Sequence, residues 1–219
     1  MTRRRMVILV AAVLAAAVAI AQSRGRRYFD GARPPLANNE TEKRILSIIE
    51  EVRRSGRTWA SVPDADGRLL RLLTEAAGAK HVVEIGTSTG YSGLWFALAL
   101  SNTGGRLTTY EIDPGRAAVA REHFKKAGVE HMVTLIEGDA HRNLDKLEGQ
   151  VDVAFIDADK EGYVRYLNKL LPRVRPGGLI LAHNVDMVRD YVEAVTTNPA
   201  LDTVFYMDGS GLAVTLKKR

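Results

Sequence analysis

The 219-residue sequence predicts an α/β fold: a seven-stranded, mostly parallel sheet with an antiparallel last strand and helices on both faces. Three observations carry this. From residue 81 onward short apolar runs alternate with amphipathic stretches, the pattern of strand-helix-strand units with right-handed crossovers. Two helix-period segments come before the first run. The last two runs are joined only by Asp208-Gly209-Ser210-Gly211, a hairpin signal that reverses the final strand.

Taken in order, residues 41–54 place Ile45, Leu46, Ile48, Ile49 and Val52 at helical spacing, and residues 64–77 repeat this with Leu69, Leu70, Leu72 and Leu73. Strands are expected at residues 81–85, 106–110, 133–137, 151–156, 178–182, 203–207 and 212–216. Helices are expected at residues 91–100, 115–126, 142–147, 162–171 and 187–196. Sheets of this kind bind ligands beyond the carboxyl ends of their strands, so chemistry is sought there.

Hydrophobic residues make up 46% and charged residues 26%, which excludes disordered, collagen-like and coiled-coil chains. The absence of cysteine removes disulfides, Cys-ligated zinc and a thiol nucleophile. Of the net charge of +5, three units are Arg3, Arg4 and Arg5; without them 28 basic residues face 26 acidic ones, a margin of +2. A body so near neutral offers no cationic face for nucleic acid, and no nucleic-acid partner is expected.

Residues 1–23 form a separate segment: Arg3 to Arg5, then sixteen uncharged apolar residues from Met6 to Ala21. As a helix these span about 24 Å, short of the roughly 30 Å hydrocarbon core, and Ala19-Ile20-Ala21 has the small-x-small form of a signal-peptidase site. A cleaved signal and a retained anchor are both open, and Thr2-Arg3-Arg4-Arg5 weakly resembles a twin-arginine export signal. Export or membrane association through residues 6–21 is expected, with a linker at 24–37 and the functional domain at 38–219.

The first strand runs into Glu84-Ile85-Gly86-Thr87-Ser88-Thr89-Gly90-Tyr91-Ser92-Gly93, a glycine loop that opens a helix and reads as a nucleotide cradle. Gly86 permits a tight turn and Ser92 can offer a hydroxyl near the first-turn N–H groups. Ser88 stands where a dinucleotide fingerprint has its second glycine, which disfavours a pyrophosphate ligand. Glu111 closes the second strand, 25 residues beyond Gly86, where a carboxylate can accept both ribose hydroxyls. Asp139 closes the third and can accept from an adenine amine.

These motifs resemble those of class I S-adenosylmethionine-dependent O-methyltransferases, close to the catechol and caffeoyl-CoA O-methyltransferase group. The resemblance covers roughly residues 61–219 and also rests on Val62-Pro63-Asp64-Ala65-Asp66-Gly67, Tyr110-Glu111-Ile112-Asp113, Ile156-Asp157-Ala158-Asp159-Lys160 and Pro176-Gly177-Gly178-Leu179-Ile180-Leu181-Ala182-His183-Asn184-Val185. It implies a Rossmann-like sheet. It also implies that Val62, Glu84, Gly86, Thr87, Ser92, Glu111, Asp139 and Ala140 surround S-adenosylmethionine, that Asp157 and Asn184 bind a divalent metal, and that Lys160 lies beside the hydroxyl of a small, aromatic acceptor. A homodimer is left open.

The residue types suit that chemistry. A phenol is a weak nucleophile at neutral pH, and both a divalent cation and a nearby ammonium favour its phenolate. The chain departs from the group at one place: it reads His183-Asn184 where the metal-binding enzymes have Asp-Asn. His183 as a ligand would suit zinc, manganese, iron or cobalt better than magnesium. It is also open as a base or as a hydrogen-bonded loop residue. His81, His123, His131 and His141 are expected at the surface or at strand edges, and Trp59, Trp95, Tyr163 and Tyr166 in packing. Two other readings are kept, an NAD-dependent oxidoreductase and a tethered cofactor-binding module without catalysis.

Overall fold

The computed structural model describes residues 33–56 and 61–219. The chain divides into two units, 1–36 and 37–219. Of the first, residues 33–36 are described and carry no helix or strand. The expected export segment 1–23, most of the expected linker and Trp59 lie outside the described residues. Among the described residues no helix is long and apolar enough to cross a membrane.

In the second unit Asn39 Oδ1 accepts the Glu42 amide at 2.9 Å and caps helix α1 (Glu40–Arg54), while Glu42 accepts the Asn38 amide at 2.7 Å in return. This reciprocal cap fixes the start of the helix. There follow α2 (Asp64–Ala76), β1 (His81–Ile85), α3 (Tyr91–Thr103), β2 (Arg106–Glu111), α4 (Pro114–Ala127), β3 (Val133–Glu137), α5 (Ala140–Asn143), β4 (Val151–Ile156), α6 (Tyr163–Leu170), β5 (Val174–His183), α7 (Arg189–Thr197), β6 (Leu201–Tyr206) and β7 (Leu212–Lys217).

The seven strands form one sheet in the order β3-β2-β1-β4-β5-β7-β6. Strands β1 to β5 pair in parallel, and β7 runs antiparallel to both β5 and β6. The expected fold class and reversed last strand are therefore present. The strand order turns at β1 and β4, and the crevice beyond their carboxyl ends is where an open sheet of this kind admits a ligand.

Alternation along the central strands sends Val82, Val153, Phe155 and Leu181 to one core and Val83, Ile85, Ala154, Ile156 and Ile180 to the other. Helix α3 belongs to the first core and is buried on every side from Tyr91 to Leu100, because α1 and α2 cover the face turned away from the sheet. A helix so enclosed needs no polar face, which is why its sequence shows none.

Two elements differ from expectation. Strand β5 starts at Val174 rather than at residue 178: Val151 pairs with Val174 but Val153 pairs with Leu179, so Arg175 to Gly178 bulge outward. Arg175 Nε in that bulge donates to Asp152 Oδ1 at 2.6 Å. The helix expected at 142–147 is one α-helical turn, α5, followed by a 3₁₀ turn at Leu144–Lys146.

Candidate active site

A cavity of about 630 Å³ opens beyond the carboxyl ends of β1 to β5, within the range of small-molecule and cofactor sites. Gly86, with φ of +99°, forms its floor; a Cβ there would lie 2.1 Å from the Asp157 carbonyl oxygen. The loops after β1 and β4 thus meet back to back, which only glycine allows. Gly90, at φ of +86°, starts α3.

Glu111 leaves the end of β2 with each carboxylate oxygen held by one backbone amide: Ser88 N at 2.6 Å on Oε2 and Asp113 N at 2.9 Å on Oε1. An ionised carboxylate has about four acceptor sites, so two remain for a diol. Asp139 caps α5 by accepting the His141 amide at 2.8 Å. Asp139 and Ala140 both line the cavity, as do Ser61 and Tyr110, whose hydroxyl oxygens are buried with no hydrogen-bond partner among the described residues. The Glu111 carboxylate, with acceptor capacity to spare on the cavity, fits a polar ligand such as a nucleoside cofactor.

Four residues that the resemblance assigns to the cofactor stand behind this surface. Val62 packs in the core with α1, α2 and α3. Glu84 is fully buried, accepting Ser92 Oγ at 2.5 Å and Thr109 Oγ1 at 2.6 Å, and Thr87 Oγ1 is 2.5 Å from Thr109 Oγ1. The Ser92 hydroxyl is therefore turned to Glu84, away from the first-turn amides, because a buried carboxyl is the stronger acceptor. Burial pushes the Glu84 carboxyl up, the Ser92 and Thr109 hydrogen bonds draw it back, and the charges of Asp157 and Glu111 add to the rise, leaving it at about 7. Gly86, Glu111, Asp139 and Ala140 line the cavity itself.

At the ends of β4 and β5, Asp157, Lys160, His183 and Asn184 converge on the cavity. The Lys160 ammonium donates to Tyr163 Oη at 2.7 Å, Asn184 Oδ1 at 2.9 Å and Asp157 Oδ1 at 3.2 Å. Tyr163 in turn donates to the His183 carbonyl at 2.9 Å. His183 is buried with Nε2 2.9 Å from Asp66 Oδ2, and Nδ1 3.2 Å from Asp157 Oδ2 as an ion pair without hydrogen-bond alignment. Burial disfavours the imidazolium, but Asp157 and Asp66 more than offset it and raise its pKa to about 9.

These donors do not fit a divalent ion in the way the resemblance implies. A metal-bound imidazole must offer a ring lone pair; Nε2 of His183 is taken by Asp66, while Nδ1 makes no hydrogen bond and stands 3.2 Å from Asp157 Oδ2. The facing oxygens of Asp157 and Asn184 already close on the Lys160 ammonium. No metal step is derived for this site.

Several other residues differ from expectation. His81 is buried at the start of β1, with Nδ1 3.0 Å from the Gln150 carbonyl and Nε2 3.0 Å from Thr108 Oγ1. His141 and Tyr166 line the cavity, stacked with centroids 4.1 Å apart, and Asp159 Oδ1 accepts Tyr166 Oη at 2.6 Å. Tyr163 and Tyr166 fall on one face of α6 at i, i+3, a spacing that marks a shared neighbour. Asp66, part of the motif that opens α2, holds Ser210 N at 3.0 Å as well as His183, and its role has no local sequence signal.

With Gly86 after β1, Glu111 after β2 and Lys160 after β4 on one cavity, the site suits a nucleoside-type cofactor beside a polar acceptor. Comparison with known proteins specifies it. The O-methyltransferase family model matches residues 39–203. A catechol O-methyltransferase of Niastella koreensis is 37% identical over 161 residues, covering 72% of this chain and 72% of that protein. A tapetum-specific methyltransferase of Arabidopsis thaliana is 42% identical over 150 residues, covering 65% and 64%. Among solved structures, an O-methyltransferase from Bacillus cereus in complex with S-adenosylhomocysteine aligns with a TM-score of 0.69 and 25% identity over 84% of this chain and 93% of that one. The O-methyltransferase TomG of Streptomyces achromogenes, in complex with S-adenosylmethionine, aligns with a TM-score of 0.70 and 25% identity over 84% and 92%. The chain belongs to the O-methyltransferase family, and its class is that of the S-adenosylmethionine-dependent enzymes.

Proposed function

We propose that the protein transfers the methyl group of S-adenosylmethionine to the hydroxyl of a small aromatic acceptor. The observation that carries this is the placement of Glu111 and Lys160 on one cavity: a carboxylate able to hold the ribose, and an ammonium able to meet an oxyanion. The Niastella relative named as a catechol O-methyltransferase supports an aromatic acceptor.

Held by Glu111 through its ribose, S-adenosylmethionine would supply an electrophilic methyl on a sulfonium, and its transfer to the acceptor oxygen would leave S-adenosylhomocysteine as the sulfur-bearing product. The hydroxyl proton passes to water at the cavity mouth. With its three N–H bonds aimed at three acceptors Lys160 is arranged as a cation rather than as a base, and one of those bonds has to open for the ammonium to donate to the developing phenolate. The chain's main contribution is to align oxygen, carbon and sulfur.

The test is calorimetric titration of the full-length protein with S-adenosylhomocysteine, followed by mass analysis of catechol-type products. Binding and a product heavier by one methylene are expected; failure to bind S-adenosylhomocysteine defeats the reading. The apolar run Met6 to Ala21 supports export or membrane attachment of this activity, which fractionation of cells expressing the full chain and one starting at residue 24 examines.

A further inference from the structure

Asp66, Asp157, Lys160, His183 and Asn184 meet at the ends of β4 and β5, where Lys160 pairs with Asp157 and Asn184 and His183 pairs with Asp66. A divalent ion held by Asp157 and Asn184 would have to displace the ammonium from their oxygens.

Asp66 makes this arrangement rigid. Its Oδ2 accepts from His183 Nε2 at 2.9 Å and from Ser210 N at 3.0 Å, tying α2 and the hairpin between β6 and β7 to the end of β5. A Cβ on Gly209 would lie 1.8 Å from Asp66 Oδ1, so the hairpin closes tightly over this carboxylate. The Nε2 of His183 is thereby held on Asp66.

We propose that this enzyme works without a divalent cation: the Lys160 ammonium alone receives the acceptor oxyanion. The proposal rests on the O-methyl transfer put forward above and narrows its acceptor. A metal that chelates two adjacent oxygens makes a vicinal diol the preferred substrate, whereas a single ammonium meets a single oxyanion. Without a metal to acidify the hydroxyl, the preferred acceptor is a phenol acidic by its own substituents, with no need of an adjacent hydroxyl.

The test uses the full-length protein with S-adenosylhomocysteine present. Manganese(II) is titrated in, and the electron paramagnetic resonance signal of the free ion is followed. An unreduced signal is expected, together with methyl transfer that excess EDTA leaves unchanged and comparable kcat/KM for matched monophenol and catechol acceptors. Stoichiometric loss of the manganese signal, or loss of activity in EDTA that manganese restores, overturns the proposal. His183→Asp, which replaces the imidazole by a carboxylate, is expected to gain manganese binding; a folded variant as inert as the wild type shows that the imidazole is not what keeps the ion out. S-adenosylhomocysteine binding is read in a separate titration, so failure of the cofactor reading stays distinguishable from failure of this one.

Discussion

Ser92 Oγ donates to Glu84 Oε1 at 2.5 Å beneath the cavity floor, where Glu84 has no exposed surface. The pair ties the first turn of α3 to the end of β1, and Thr109 ties the same carboxyl to β2. Glu84 supports the loop that shapes the cavity rather than facing the cavity itself.

Its titration gives a stability prediction. The carboxyl rises from an ordinary 4.5 to about 7 in the fold, so between those values the folded chain holds a proton that the unfolded chain releases. Stability contributed by the protonated group is complete below pH 4.5 and is lost as pH rises through 7, a change on the order of 2–3 kcal/mol. Glu84→Gln cannot ionise and should gain on the wild type by that amount between pH 5 and pH 8 in urea unfolding. Parallel pH dependences of the two proteins would refute the assignment.

Much of this was legible in the sequence because period and punctuation are local properties. The alternation of runs gives seven strands, and Asp208 to Gly211 gives the reversal of β7. Side-chain direction is not local: Glu84 and Ser92 read as site residues by position, yet the pleat turns Glu84 to the face covered by α3, where Ser92 and Thr109 bond it. Asp66 and His183 are 117 residues apart, and nothing in either motif announces their contact. His141 sits directly after Asp139-Ala140, so the end of β3 itself carries it to the cavity, and only its lack of metal-ligand spacing hid it.

Gly86 supplies a second prediction through comparison with Gly78. Both have positive φ, +99° and +60°, but a Cβ on Gly78 meets open space while one on Gly86 lies 2.1 Å from a backbone oxygen. Gly78→Ala should cost only the left-handed backbone penalty, roughly 1–2 kcal/mol. Gly86→Ala must also force β1 and β4 apart and should cost more than about 4 kcal/mol, with loss of S-adenosylhomocysteine binding. Equal urea midpoints for the two variants would contradict the close packing of these loops.

Glu111 is expected to carry much of the cofactor affinity. Its two backbone bonds fix the carboxylate before any ligand arrives, so ribose hydroxyls meet an acceptor already in place. Glu111→Ala should weaken S-adenosylhomocysteine binding by about 1.5–3 kcal/mol, the scale of hydrogen bonds to a charged group. Calorimetry showing wild-type affinity for that variant would rule out the ribose role.

Lys160 separates chemistry from binding. Its nitrogen is bonded to Tyr163, Asn184 and Asp157, none of which is assigned to the ribose, so Lys160→Met should leave S-adenosylhomocysteine affinity near that of the wild type. Methyl transfer should slow by about 10²–10⁴-fold, the usual contribution of one positioned acid–base or charged group. Lys160→Arg then distinguishes cation from base. A guanidinium keeps the charge but cannot accept a proton at neutral pH, and its planar fork fits the three acceptors less well. If the ammonium acts by charge, Lys160→Arg should retain a measurable part of the rate that Lys160→Met loses, with the same pH dependence as the wild type. Single-turnover rates that are equally low in both variants, alongside intact cofactor binding, would instead make Lys160 a proton acceptor and would require its bond to Asn184 to open during turnover.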